Sequence, residues 1–111
     1  MSTRGEALFW ELAAELMAEH ADVAEGTIMN GRCLRFGKEF LALVDHKGSG
    51  LVVKLSRNRV DDLVDSGIGR PFAPAGRVFK EWVSVPKADR QRWRSLLQEG
   101  VRFATENGPR R

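Results

Sequence analysis

The chain has 111 residues, of which 42% are hydrophobic and 30% charged, with a formal net charge of +3. That length suits one independently folding domain and is too short for two cores, while the composition is too apolar for a disordered chain. No run approaches the ~18 consecutive apolar residues of a membrane span, and Met1-Ser2-Thr3-Arg4-Gly5-Glu6 lacks the basic-then-apolar order of a secretion signal, so a cytoplasmic protein is expected.

Cys33 is the only cysteine, which excludes an internal disulfide and a cysteine-rich zinc site and leaves a small hydrophobe in a strand-like run. The charge is unevenly spread. Residues 1–31 hold one arginine against six acidic groups, and the remainder holds 17 Lys or Arg against 9 Asp or Glu. Two outcomes follow: an acidic partner steered toward the later elements, or an acidic helix paired with basic neighbours inside a dimer.

Thr3-Arg4-Gly5-Glu6 fits the capping box, so a helix is expected to begin there. Leu8, Phe9, Leu12, Ala13, Leu16 and Met17 recur at three- and four-residue spacing, with Glu11, Glu15 and Glu19 on another side, to an end near His20. After a connector from Ala21 to Gly26 the period changes. Thr27-Ile28-Met29, the Asn30-Gly31 turn and Arg32 to Phe36 read as a hairpin; Gly37-Lys38 turns into Glu39 to Asp45, and Lys47-Gly48-Ser49-Gly50 turns into Leu51 to Leu55. Four antiparallel strands in a meander are predicted. Phe40-Leu41-Ala42-Leu43-Val44 is apolar at both phases of the pleat, which predicts a central strand with both faces covered, by helices or by a second copy.

Ser56 caps a second predicted helix from Arg57 to Ser66, carried by Val60, Leu63 and Val64 and ended by Gly67. Ile68 to Gly76 reads as an ordered loop with a short extended piece around Phe72, and Arg77 to Val85 as a further strand halted by Pro86. A last helix begins near Ala88 or Asp89, keeps Trp93, Leu96, Leu97, Val101 and Ala104 in helical register, and stops at Asn107-Gly108-Pro109. The expected architecture is therefore α+β: helix, a meander of about four strands, helix, one or two further strands, and a C-terminal helix. It forms one domain over 1–111 with an ordered core of about 3–107.

Three stretches carry a family resemblance: Gly31-Arg32-Cys33-Leu34-Arg35-Phe36 with Phe40 to Val44 and Val52-Val53-Lys54-Leu55; Gly69-Arg70-Pro71-Phe72 with Gly76-Arg77; and Glu81-Trp82-Val83-Ser84-Val85-Pro86 with a Trp-bearing last helix. Together they resemble the N-terminal domain of the TfoX/Sxy proteins over nearly the whole chain. The resemblance implies a stand-alone domain similar to the YgaC and secretion-chaperone-like folds, a tie to regulation of transcription in competence, and no catalytic motif to transfer. Full-length regulators of that family carry a second, helical domain after this one.

The chemistry of the residues agrees with a non-enzymatic reading. His20, His46 and Cys33 match no paired zinc spacing, neither G-x-S-x-G nor G-x-x-x-x-G-K occurs, and Asp61, Asp62 and Asp65 read as a solvated helix face, so no catalytic, metal or cofactor site is expected. The interleaving of Arg70, Phe72, Arg77, Lys80 and Trp82 reads first as a rigid loop stitched onto the sheet, with Arg77 or Arg70 paired to a carboxylate such as Glu81; the alternative is a basic and aromatic candidate partner surface. Lys87, Arg90 and Arg94 are placed on one side of the last helix as candidate phosphate contacts. The expectation is a regulatory or protein-interaction domain, homodimeric, with an unknown protein partner. The alternative is sequence-independent nucleic-acid binding through the basic last helix.

Overall fold

The computed structural model describes residues 4–28, 31–45, 50–73 and 76–107. The expected Thr3 cap, Met29 and Asn30 of the first hairpin, His46, the Lys47-to-Ser49 turn, Pro74, and the stop at Gly108-Pro109 with Arg110 and Arg111 lie outside them.

Helix α1 spans Arg4–Glu19, followed by β1 (Val23–Ile28), β2 (Gly31–Phe36), β3 (Glu39–Val44) and β4 (Leu51–Lys54). Helix α2 (Arg57–Asp65), β5 (Arg70–Phe72), β6 (Phe79–Val85) and α3 (Arg90–Asn107) complete the chain. The class is α+β, as the change of period along the sequence implies. All six strands form one antiparallel sheet in the order β1-β2-β3-β4-β6-β5, so the first four make the expected meander and β6 adds to β4 with β5 outermost.

Two boundaries differ from the sequence reading. β1 starts at Val23, inside the expected connector, because it is an edge strand whose Ala24, Glu25 and Thr27 stay exposed and give little apolar alternation. The extended piece near Phe72 is a true strand, three residues long and containing Pro71, which an outermost strand tolerates.

The ends of α2 show their chemistry. Ser56 accepts from the Arg59 backbone N–H at 3.2 Å, and the amides of Ile68 and Gly69 both donate to the Leu63 carbonyl as Gly67 takes φ 81°. Asp89 caps α3 by accepting from the Arg92 backbone N–H at 2.9 Å.

All three helices pack on one face of the sheet. Phe9, Leu12 and Leu16 of α1, Val60 and Leu63 of α2, and Trp93, Leu96, Leu97 and Val101 of α3 share one buried cluster with Leu34, Leu41, Ala42, Leu51, Val53, Val83 and Val85. β3 is central, as expected, but its two apolar phases have an additional cause. The register between β2 and β3 slips at Leu34/Arg35, so Leu34 faces Ala42 and Arg35 faces Phe40, leaving Leu41 as the extra residue. Leu41, Ala42 and Val44 thereby join the helix side, while Phe40 and Leu43 fall in a second cluster on the opposite face with Cys33 and Val52. No described helix or strand covers that second face, so of the two expected covers the helices account for one side of β3.

Candidate interaction surface on the open sheet face

The open face is built by pairing. Val52 of β4 lies opposite Leu43 and Ser84, and Lys54 lies opposite Trp82, so residues of one pleat phase line up across β3, β4 and β6. At the β5 end the register slips between Pro71 and Phe72, which sets Phe72 opposite Phe79. The consequence is an aromatic cluster assembled from three strands. Phe40 stacks on Trp82 with centroids 4.1 Å apart, Phe72 stacks on Trp82 at 5.6 Å, and Phe79 meets Trp82 edge-on at 4.8 Å.

Exposure divides the cluster. Cys33 and Val52 are fully enclosed and Phe40 is 6% exposed, whereas Phe72, Phe79, Trp82, Leu43 and Ile28 are half-buried. Beside them Val78 is 52% exposed, the one strongly exposed large hydrophobic among the described residues. Val78, Phe79 and Trp82 line an open groove of about 490 Å³ together with Lys54, Arg77, Lys80 and Glu81.

Four of the five residues that the sequence marks as a partner surface meet here. Trp82 is the hub, Phe72 stacks on it, Arg77 and Lys80 rim the groove, and the Arg77 guanidinium lies 5.8 Å from the Phe79 ring centre. Arg70 is exposed on β5 opposite Ser84, one residue from Pro71. The expected pairing of Arg70 or Arg77 with Glu81 is not formed: among the described residues neither arginine has a carboxylate partner. Both stand in exposed positions where an ion pair gains little against the entropy of holding two long side chains.

Phe40 and Phe79 were not singled out from the sequence. A strict alternation of period two through Phe40–Val44 assigns the wrong side to part of β3, and only the two register slips reveal which rings meet.

The basic candidates on the last helix are placed differently. Lys87 lies exposed in the turn before α3 rather than on the helix. Arg90 pairs with Glu11 and donates to Glu15 at 3.4 Å; Arg94 reaches Glu15 and Glu19, each at 3.5 Å. The acidic and basic halves of the sequence thus meet within one chain, across α1 and α3.

Cys33 sits below the aromatic cluster, and burial pushes its thiol up from the ordinary range against the lowering effect of nearby Arg35. Arg35 itself crosses Gly26 and donates to the backbone carbonyls of Thr27 and Lys38, both at 3.0 Å. Asp61, Asp62 and Asp65 are exposed on α2, and no group of three metal-ligating side chains gathers among the described residues.

Comparison with family models, with curated proteins and with solved structures finds no match for this chain.

Proposed function

We propose that this domain is a non-enzymatic interaction module of the TfoX N-terminal type, cytoplasmic, that docks a protein on the open face of its sheet. One observation carries the reading: every described helix lies on one side, and among the described residues no helix or strand covers the Trp82-centred cluster on the other. Tryptophan and arginine dominate the binding energy of protein interfaces because they combine large apolar area with directed polar contacts, and both are gathered here.

Affinity capture with quantitative comparison of variants tests this. The specific partner is expected to be lost with Trp82→Ala and retained with Arg102→Ala on the far side of the sheet. A partner retained at full strength by a folded Trp82→Ala variant would refute the assignment.

A second reading makes the partner another copy of this chain. It is favoured by the partly exposed apolar side chains Ile28 and Leu43 of the same face, which would suit sheet-on-sheet packing. Light scattering discriminates: a dimer dissolved by Leu43→Glu would establish it, and a strict monomer at high concentration would remove it.

A further inference from the structure

Some described cations are paired and others, Arg57, Arg92 and Arg102 among them, are not; what marks the rim of the aromatic groove is that its cations stand beside exposed apolar side chains. Arg32 bonds Glu25 at 2.5 Å, Arg59 bonds Glu99 at 2.9 Å, Lys54 reaches Glu39 at 3.5 Å, and Arg90 and Arg94 are taken up by α1. Arg70, Arg77 and Lys80 have no carboxylate partner among the described residues; Arg77 and Lys80 line the groove with Val78, Phe79 and Trp82, while Arg70 lies farther along β5, opposite Ser84. Glu81 is the single carboxylate lining the groove, whose Lys54 is already neutralised.

We infer that the groove at the β5–β6 end of the open face takes an acidic, amphipathic segment of another protein, an inference that rests on the interaction reading above. Its apolar side chains cover Val78, Phe79 and Trp82, while its carboxylates meet Arg77 and Lys80. Charge complementarity selects this occupant: bringing positive rim to negative segment speeds and orients encounter, and like-charge juxtaposition is penalised. A second copy laid on this end would set Arg77 and Lys80 against the same two cations. A single-stranded nucleic acid needs open ring faces for its bases, and here the Trp82 ring is already stacked on by Phe40 and by Phe72.

The test uses the whole chain, nitrogen-15 labelled, and a synthetic twelve-residue peptide alternating glutamate with leucine. Three control peptides replace glutamate by glutamine, glutamate by lysine, or leucine by serine. The expected result is a shift of the Trp82 indole and of the Phe79 to Glu81 amides by the glutamate–leucine peptide, with the Trp93 indole unmoved. Each control binds more weakly, and the double variant Arg77→Glu, Lys80→Glu loses affinity about tenfold or more. Both substituted positions are exposed, so the fold is retained, and an unchanged far-ultraviolet spectrum checks it.

Equal binding of the glutamine–leucine peptide at the same resonances would overturn the acidic occupant while leaving the interaction face intact. Shifts confined to α1 or α3, or none with any peptide at roughly millimolar concentration, would sink both. Concentration-dependent shifts without peptide would assign the groove to a second copy instead.

Discussion

Trp93 is fully enclosed, and its indole Nε1–H is the one buried side-chain polar atom without a hydrogen-bond partner among the described residues. Leaving a buried donor unsatisfied costs about 1–3 kcal/mol, which offsets part of what the large ring contributes by packing. Trp93→Phe removes the donor and only part of the volume. Its loss of stability in urea unfolding is therefore expected to stay within about 1 kcal/mol, against the 3–5 kcal/mol typical of a large aromatic cut to alanine. A loss as large as that of Trp93→Ala would show that the indole N–H is satisfied.

Cys33 makes the complementary case, a titratable group held neutral by burial. Since its folded value lies above its unfolded one, the stability it contributes is complete below the ordinary thiol value of about 8.5. That stability drains as pH rises from there through the folded value. Wild type is expected to lose stability relative to Cys33→Ala between pH 8 and the alkaline limit of the fold. Native Cys33 is also expected to react with a thiol reagent far more slowly than the denatured chain, and equal rates would contradict its enclosure. The sequence already marked Cys33 as filler, because a lone cysteine amid apolar neighbours has no chemistry to share.

At the scale of elements, α3 approaches the sheet at Gly100, where an added Cβ would stand 3.0 Å from Val53 Cγ2 and 3.1 Å from Leu41 Cδ1. Alanine is the better helix former by about 1 kcal/mol, but overpacking costs about 1–3 kcal/mol, and Val53 is stiff in its strand. Gly100→Ala is thus expected to lower the melting temperature. A rise would mean that the helix stands farther from the sheet.

The α1–α3 ion pairs are exposed, so Arg90→Ala with Arg94→Ala is expected to cost at most about 1 kcal/mol, and less as salt is added. Because those guanidinium groups already face Glu11, Glu15 and Glu19, random duplex DNA at low salt is expected to give no gel shift that depends on them. A shift abolished by the double substitution would restore the nucleic-acid reading.

The order of elements was legible because hydrophobic period switches from about 3.6 to 2 at each boundary, and Ser56 and Gly67 mark the ends of α2 by local chemistry. The β1 start at Val23 was not, since an edge strand exposes most of its side chains. Nor were the register slips beside Leu34 and Pro71, because a bulge is a property of two paired strands and neither sequence segment states it alone. The same limit applies to the site: composition drew attention to Arg70, Phe72, Arg77, Lys80 and Trp82, while Phe40 and Phe79 joined them only through pairing. The charge split was plain in sequence, but its resolution between two helices 75 to 79 residues apart was not.

For the molecule as a whole, one layer of helices on one face of a six-stranded sheet leaves a sided domain. The covered side holds the core that sets stability, and the open side carries the Trp82-centred ring cluster with Arg77 and Lys80 beside it. Substitutions are accordingly expected to separate: truncating Leu41 or Leu97 should cost about 2–5 kcal/mol of folding stability, while Lys80→Glu should leave stability within about 0.5 kcal/mol. The most direct measurement of this sidedness is the attenuation of side-chain proton signals by a soluble, uncharged paramagnetic agent, with the protein in dilute solution. The Trp82 indole, Phe72, Phe79 and Val78 are expected to broaden as surface groups do, with Trp93 and Leu41 protected; Trp82 and Phe72 as protected as Trp93 would contradict the open face.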